Sequence, residues 1–336
     1  MLSSGKQGRL RAVANDRGVI AALAIDQRSA LRKLFSKASG QAPEDVPAEL
    51  LVQFKEHVSR VLTPHASAIL LDPEFGIPAA AQRHKNTGLL LAYEKTGYDK
   101  TVPGRLPRLL DGFSVAKLKD AGADCVKVLL YYSPFSGTQI NATKQAWVER
   151  VGTECLAADL PFFLELVSYH DEMDEKGLDF ARLKPEVVTR SVEEFCKPRY
   201  LVDVLKVGVP VNMNYVESTT VPRSRVVYSR EEARAHFRRA SQAASLPFIY
   251  LSEGVSNEMF ADALAIATEA GSAFSGVLCG RAIWQEGVPI FVQHGAASLE
   301  RWLQEDGVRN IKNVKACLGA AHPWSDRISA VVSGRG

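Results

Sequence analysis

The chain has 336 residues, of which 46% are hydrophobic and 24% are charged, so a disordered, collagenous or coiled-coil protein is excluded. The 41 basic residues nearly balance the 38 acidic ones, and a net charge of +3 argues against a dedicated nucleic-acid binder. The five cysteines contain no C-x-x-C pair, so neither a disulfide framework nor a zinc site is expected. Without a signal-peptide core or a membrane-length apolar run, the sequence predicts a cytoplasmic protein.

Eight short apolar runs recur along the chain, mostly separated by stretches long enough for a helix. Near-continuous hydrophobicity, rather than alternation, is typical of parallel strands that helices cover on the outside. In chain order the runs are Gly18–Asp26, Ala68–Asp72, Gly88–Glu94, Cys125–Tyr132, Pro161–Val167, Val204–Pro210, Pro247–Gly254 and Gly276–Arg281. The third run is also compatible with the start of a helix.

The segments between the runs carry helix signals. Ser229 and Glu232 have capping-box spacing ahead of a predicted helix over Arg230–Ala244. A second segment, Asn257–Ala270, has apolar residues at helical spacing. Eight alternations of strand and helix predict an α/β protein with a (β/α)8 TIM barrel.

The predicted barrel is one domain over residues 1–336, with a barrel core over about 18–284 and C-terminal helices over about 285–328. A further helical extension is expected before the barrel, at the N-terminus. A doubly wound sheet is the alternative architecture, but no G-x-G-x-x-G motif follows the first run, which weakens a dinucleotide-binding interpretation.

Among the charged residues within or at the end of the apolar runs, four are the most informative, namely Asp26, Lys127, Glu165 and Lys206. A charge between aliphatic residues cannot be buried unpaired, because its desolvation costs several kcal/mol. Alternate residues of a small barrel point inward. We therefore expect these four side chains to converge in the barrel lumen from four different strands.

Two lysines and two carboxylates in one lumen suit Schiff-base chemistry. Burial and a neighbouring ammonium both lower the pKa of a lysine, and the neutral amine can then attack a carbonyl. The resulting iminium withdraws electrons from an adjacent carbon–carbon bond, while a carboxylate such as Glu165 moves protons. A purely structural network of salt bridges is the alternative interpretation of the same four residues.

The seventh and eighth runs end in LSEGVS and CGRA, which offer glycine N–H groups, a hydroxyl and a guanidinium. The loops after these two strands are the usual phosphate-binding site of a TIM barrel. The candidate phosphate ligands are Ser252, Gly254, Gly280 and Arg281. Alternatively, the glycines only turn the chain and Arg281 pairs with a surface carboxylate.

Metal catalysis is disfavoured by the distribution of histidines. The seven histidines show no H-x-x-x-H or H-E-x-x-H pattern, and only His170 lies near a strand end. Asp72 and Glu74 could bind Mg²⁺ but are better explained as ordinary loop carboxylates. No metal and no other cofactor is expected.

Several segments match a known family in the same order and with matching gaps, from about Gly18 to Trp324. They include LAIDQR, ILLDPEFGIPA, AGADCVKVLLYY, LPFFLELVSY, VDVLKVGVPVNMNYVE, IYLSEGVS and GVLCGRAIW. These segments resemble the metal-independent, Schiff-base-forming members of the tagatose 1,6-bisphosphate aldolase family. The resemblance implies a TIM barrel that reversibly cleaves D-tagatose 1,6-bisphosphate to dihydroxyacetone phosphate and D-glyceraldehyde 3-phosphate. It also implies a homo-oligomer, a dimer or larger.

The resemblance also implies roles for individual residues. The Schiff-base lysine falls on Lys206 and the acid/base glutamate on Glu165. The active-site Asp-Gln pair falls on Asp26 and Gln27, and the second lumen lysine falls on Lys127. The family's phosphate ligands fall on the four candidates already identified at the ends of the seventh and eighth runs.

Two positions depart from the family pattern. Family members commonly read KVEVP at positions 206–210, where this chain has Gly208 in place of the glutamate. They commonly read LSAG or LSSG at positions 251–254, where this chain has Glu253 in place of the alanine or serine. Gly208 lies on the same strand face as Lys206, so the lumen has lost a carboxylate there. We hypothesise that the negative charge has moved across one strand, to Glu253. On this hypothesis Glu253→Ala impairs turnover much more than a surface substitution does.

The departures leave two other functions open. One is the same lysine chemistry on another anionic sugar, 6-deoxy-6-sulfofructose 1-phosphate. The other is a non-catalytic regulator that binds a sugar phosphate, which the intact Lys206 and Glu165 argue against.

Overall fold

A closed barrel of eight parallel strands forms the centre of the computed structural model, which describes residues 2–99, 101–217 and 225–333. Each strand pairs with its neighbours in chain order, and the last pairs with the first. The strands are β1 (Ile20–Ala24), β2 (Ala68–Leu71), β3 (Gly88–Ala92), β4 (Cys125–Tyr132), β5 (Phe162–Ser168), β6 (Val204–Gly208), β7 (Phe248–Leu251) and β8 (Gly276–Cys279). Every predicted run contains a strand, the third included, and the predicted TIM barrel is confirmed.

Helices surround the barrel and extend it at both ends. They are α1 (Ser4–Ala12), α2 (Ser29–Ser39), α3 (Ala48–Leu62), α4 (Ile77–Ala81), α5 (Val115–Asp120), α6 (Thr138–Ala157), α7 (Leu178–Phe195), α8 (Arg230–Ala243), α9 (Asn257–Glu269), α10 (Arg281–Trp284), α11 (Gly287–Trp302), α12 (Val308–Ala316) and α13 (Trp324–Ser333). Within the described ranges, no helix has both the length and the apolar character needed to cross a membrane.

The start of α8 shows how local sequence sets a helix boundary. The Ser229 side chain accepts a hydrogen bond from the Glu232 backbone N–H at 3.2 Å, and the Glu232 carboxylate accepts one from the Ser229 backbone N–H at 2.8 Å. This reciprocal pair is the predicted capping box, and it satisfies two backbone donors that the first turn leaves free.

The strands read as continuous apolar runs because both of their faces are buried, one against the helices and one in the lumen. Inside the barrel, Phe163 and Ile249 belong to a buried cluster that also includes Leu10 of α1 and Trp324 of α13. The Trp324 backbone N–H donates to the Gly18 carbonyl, just before β1 begins, at 3.0 Å. The terminal helices therefore close the end of the barrel where the strands start.

The strand register carries charged side chains to the opposite end of the lumen. Glu165 of β5 is the register partner of Lys206 of β6, and Lys127 of β4 is the partner of Phe163. Phe163 and Glu165 are two residues apart and so point to the same face of the sheet. Lys127, Glu165 and Lys206 therefore all point into the lumen, with Phe163 among the residues beneath Glu165.

Candidate active site

A cavity of about 930 Å³ opens at the carboxyl ends of the strands, the end at which TIM barrels carry their active sites. Residues in or just after seven of the strands contribute to its wall, among them Asp26, Gln27, Glu94, Tyr131, Glu165, Ser252 and Arg281. The cavity is thus built from the strand ends and the loops that follow them. The closed end of the barrel does not contribute to it.

The four lumen charges singled out in the sequence lie in one hydrogen-bonded network. The Lys127 Nζ lies 2.7 Å from Asp26 Oδ2 and 2.8 Å from Glu94 Oε1. Its third contact, also at 2.8 Å, is with Glu165 Oε2. The same Glu165 oxygen lies 2.8 Å from Lys206 Nζ. One carboxylate oxygen therefore joins the two lysines.

The charge states of the network follow from its contacts. Burial alone would lower the pKa of Lys127, but the three carboxylates around it raise that pKa well above the usual range of a lysine. Burial would raise the pKa of Asp26, but Lys127 and Lys206 outweigh it and lower that pKa. The pKa of Glu165 is lowered by the same two ammonium groups, against the effect of burial. At neutral pH, Lys127 is therefore a cation and both acids are carboxylates.

Glu94 belongs to the network, although the sequence reasoning missed it. Besides binding Lys127, its Oε2 accepts a hydrogen bond from the Leu129 backbone N–H at 3.1 Å. Its Oε1 lies 3.4 Å from the Arg28 guanidinium, and its backbone carbonyl accepts a hydrogen bond from Arg28 at 2.9 Å. The available signal was its position, because Glu94 ends the third apolar run as Asp26 ends the first.

The two loop carboxylates after β2 serve separate ion pairs. Asp72 binds the buried ammonium of Lys55, and Glu74 lies 3.0 Å from Arg28. Among the described residues, no three His, Cys, Asp or Glu side chains are arranged to hold a metal ion. In the lumen, the point on which the acids Asp26, Glu94 and Glu165 converge is occupied by the Lys127 ammonium.

The candidate phosphate ligands lie side by side after β7 and β8. Ser252 is buried, and Gly254 has a φ of +79°, a conformation that favours glycine. A Cβ at Gly254 would lie 2.6 Å from Arg281 Cζ, so the backbone can approach the guanidinium only without a side chain there. Gly280 is the residue before α10, which begins with Arg281. Within the described ranges Arg281 forms no ion pair with a carboxylate.

Gln27 also faces the cavity. Its Oε1 is buried and, within the described part of the chain, has no hydrogen-bond partner. A buried acceptor without a partner is costly, so such an atom in a cavity wall is suited to bind a donor from a ligand, such as a sugar hydroxyl.

The two departures from the family pattern lie in contact with each other. A Cβ placed on Gly208 would be 2.3 Å from Glu253 Oε1. The Glu253 carboxylate therefore occupies the space that a side chain at position 208 would take. Its other oxygen, Oε2, lies 2.5 Å from Lys184 Nζ, an ion pair that the sequence reasoning did not foresee.

Comparison with known proteins assigns a family to this site. A family model described as DeoC/LacD family aldolase matches residues 20–286. The chain belongs to the DeoC/LacD aldolase family. This finding confirms the family recognised from the sequence and its class of enzyme, an aldolase, which is a carbon–carbon lyase.

Relatives in this family align over nearly the whole chain. Tagatose 1,6-diphosphate aldolase 2 of Enterococcus faecalis is 50% identical over 97% of this chain and 98% of its own length. Tagatose 1,6-diphosphate aldolases of Listeria innocua and Staphylococcus aureus are 47% and 45% identical. The alignment covers 96% and 97% of this chain and 94% and 99% of the respective relatives.

Solved structures of more distant aldolases share the fold. Fructose-bisphosphate aldolase of Plasmodium falciparum superposes with a TM-score of 0.68 at 14% identity, covering 96% of this chain and 97% of its own. A Schiff-base-forming fructose-1,6-bisphosphate aldolase gives a TM-score of 0.56 at 14% identity, covering 92% and 98%. At this level of identity the likeness concerns the barrel alone.

Proposed function

We propose that this protein is a class I aldolase that reversibly cleaves D-tagatose 1,6-bisphosphate through a Schiff base on Lys206. The products are dihydroxyacetone phosphate and D-glyceraldehyde 3-phosphate. The observation that carries the mechanism is the single Glu165 oxygen lying 2.8 Å from both Lys206 Nζ and Lys127 Nζ. The substrate is proposed because relatives at 45–50% identity, aligned over nearly their full length, are tagatose 1,6-diphosphate aldolases.

The contacts of the two lysines distinguish their roles. A nucleophilic amine must be free of its proton when it attacks. Lys127 contacts three carboxylates, which hold it as a cation, and so it cannot be the nucleophile. Lys206 contacts one carboxylate, Glu165, which can accept its proton directly. We therefore assign the nucleophile to Lys206.

The bond-making steps follow from the same contact. Lys206 transfers a proton to Glu165 and attacks the C2 carbonyl of the ketose, and the C2 oxygen leaves as water after it takes one proton from the attacking nitrogen and one from Glu165. In the iminium that remains, Glu165 accepts the proton of the C4 hydroxyl as the C3–C4 bond breaks. The bonding electrons move to the iminium nitrogen, which gives an enamine and releases the aldehyde. Protonation of the enamine at C3 and hydrolysis release dihydroxyacetone phosphate and free Lys206.

The surrounding residues prepare these steps. Lys127 is a fixed cation beside Glu165, so it favours the carboxylate form and makes the protonated acid a stronger donor. Asp26, which also lines the cavity, contacts Lys127 at 2.7 Å. Gln27 offers its unpaired Oε1 to a sugar hydroxyl. The hydroxyl of Ser252, the backbone around Gly254 and Gly280, and the Arg281 guanidinium bind the phosphate on C1 of the ketose.

The substrate assignment is tested by a cleavage assay on a panel of ketose bisphosphates together with 6-deoxy-6-sulfofructose 1-phosphate. Wild type and Lys37→Met, a control at an exposed lysine, are expected to cleave tagatose 1,6-bisphosphate with similar kcat/KM. Lys206→Met is expected to have no measurable activity. A clear preference for the sulfonate would replace the proposed substrate, and an active Lys206→Met variant would overturn the mechanism.

Independence from metal ions is part of the proposal, because the Lys206 iminium itself withdraws electrons from the bond that breaks. Full activity after dialysis against EDTA is expected. Activity that EDTA abolishes and added Zn²⁺ restores would contradict it.

The cytoplasmic location and the homo-oligomeric state stay predictions. Sedimentation of the purified protein tests the oligomeric state.

A further inference from the structure

The segment Ser252–Gly254 after β7 has an unusual backbone. Glu253 has a φ of +52° and Gly254 a φ of +79°, so two consecutive residues are in the left-handed region. Glycine adopts this conformation freely, whereas glutamate does so only where its surroundings hold it. Since Ser252 and Gly254 are the candidate phosphate ligands on either side of Glu253, whatever holds Glu253 also sets their positions.

Two contacts hold the Glu253 side chain. Its Oε2 lies 2.5 Å from Lys184 Nζ, a lysine of α7 whose side chain is only 7% exposed. The Lys184 ammonium also lies 3.4 Å from the Val211 carbonyl, in the loop after β6. An ion pair with one partner this deeply buried is screened little by solvent, so it can fix a backbone segment in a way that an exposed pair cannot.

The carboxylate can reach this position only because residue 208 is a glycine. Gly208 of β6 is the register partner of Leu251, at the end of β7, two residues before Glu253. A Cβ on Gly208 would be 2.3 Å from Glu253 Oε1 and 3.0 Å from its Cδ, far inside normal contact distance. A side chain at 208 would therefore force the Glu253 carboxylate to move from its present position beside Lys184.

The other side of the segment is equally close-fitting. The Arg281 guanidinium lies against Gly254, where a Cβ would be 2.6 Å from its Cζ. A shift of Glu253 would move Gly254 and change the distance between the backbone and this guanidinium. The position of the candidate phosphate site is thus coupled to the contacts that Glu253 makes with Gly208 of β6 and with Lys184 of α7.

We propose that Glu253 and Lys184, accommodated by Gly208, form a positioning pair that sets the phosphate-binding segment Ser252–Gly254. The two residues act through that segment and have no part in proton transfer. This inference rests on the proposed function, since it requires that the segment bind the substrate phosphate. It also gives a physical meaning to the two departures seen in the sequence, because the Glu253 carboxylate can occupy its position only when residue 208 is a glycine.

The first test compares Glu253→Ala with Glu258→Ala, which removes an exposed glutamate at the start of α9 and is the matched control. A displacement of about 1 Å in a binding group can cost up to about 100-fold in rate, so we expect kcat/KM of Glu253→Ala to fall about 10- to 100-fold. The loss should include a raised KM, and Glu253→Gln, which keeps the shape, should recover part of it. Equal kcat/KM for Glu253→Ala and Glu258→Ala would overturn the proposal.

The second test is a double-mutant cycle with Gly208→Ala. In the wild-type background the new methyl group displaces the Glu253 carboxylate, and kcat/KM should fall about tenfold or more. In the Glu253→Ala background the space is empty, so the same substitution should change kcat/KM by less than about twofold. Equal effects in both backgrounds would show that residues 208 and 253 are not coupled, and would overturn the proposal even if one variant is poorly stable.

A third measurement separates this inference from the proposed function. Borohydride reduction with saturating dihydroxyacetone phosphate traps an imine wherever the lysine chemistry is intact. Glu253→Ala should form the adduct to the wild-type extent at saturation but need a higher concentration for half-maximal trapping. Loss of the adduct at saturation in this variant alone would place Glu253 in the chemistry and overturn the positioning role. Loss in the wild type would instead refute the proposed function.

Discussion

Removing the buried ammonium of Lys127 perturbs the lumen most strongly. In Lys127→Met, the carboxylates of Asp26, Glu94 and Glu165 lose a cation that lies 2.7 to 2.8 Å from each. Breaking a buried ion pair by removing one partner costs about 3–5 kcal/mol, because charge is left uncompensated. Arg28 and Lys206 still neutralise part of the charge, so we expect a loss of about 3 kcal/mol of unfolding free energy at pH 7.

The same variant has a predicted pH dependence whose sign follows from the pKa shifts. In the wild type the pKa values of Asp26 and Glu165 are lowered, so these acids stabilise the fold above their unfolded pKa values, and this contribution is lost as the pH falls. The pKa of Lys127 is raised, so its contribution is lost only in alkaline solution. Without Lys127, burial and mutual repulsion raise the pKa values of the acids, and a proton can replace the missing cation. The stability deficit of Lys127→Met should therefore shrink between pH 7 and pH 5.

Urea unfolding at both pH values measures this deficit, with Lys37→Met as the exposed-lysine control. We expect a large deficit at pH 7, a smaller one at pH 5 and almost none for the control at either pH. A deficit below about 1 kcal/mol at pH 7, or one that grows on acidification, would refute the charge assignment of the network.

Other variants test individual roles in the proposed reaction. Glu165→Gln should lower kcat by about 100- to 10,000-fold, as measured by steady-state cleavage, because the amide cannot transfer the proton. Arg281→Ala should raise KM for the bisphosphate more than it lowers kcat, and a KM equal to that of the wild type would remove this residue from the phosphate site. Glu253→Ala should also lower kcat well below that of Glu258→Ala. An unchanged kcat would refute the hypothesis that negative charge moved there from position 208.

The barrel itself was predictable from the sequence for a physical reason. Parallel strands that are buried on both faces must be apolar throughout, so each strand appears as a short continuous run. The predicted runs extend one or more residues beyond most strands, as in Gly18–Asp26 against Ile20–Ala24, because the loop residues next to the lumen are also buried. Charges such as Lys127 and Glu165 were conspicuous because they interrupt these runs.

The contacts between distant elements could not be read from the sequence in the same way. Glu94 binds Lys127 across 33 positions, and Lys184 binds Glu253 across 69. Lys184 lies in an amphipathic helix, where a lysine is ordinarily exposed, and nothing in its local pattern indicates burial. The sequence predicted that Glu253 replaces the charge lost at position 208. It did not predict the cation that binds Glu253, because Lys184 lies in α7 and not in a barrel strand.

In the proposed reaction Lys206 forms the Schiff base, while Lys127 remains a cation. Reduction of the enzyme with borohydride in the presence of dihydroxyacetone phosphate, followed by peptide mass spectrometry to map the modified lysine, tests this assignment. We expect one adduct, on Lys206, in the wild type and in Lys37→Met, and no adduct in Lys206→Met. An adduct on Lys127, or one that persists in Lys206→Met, would contradict it.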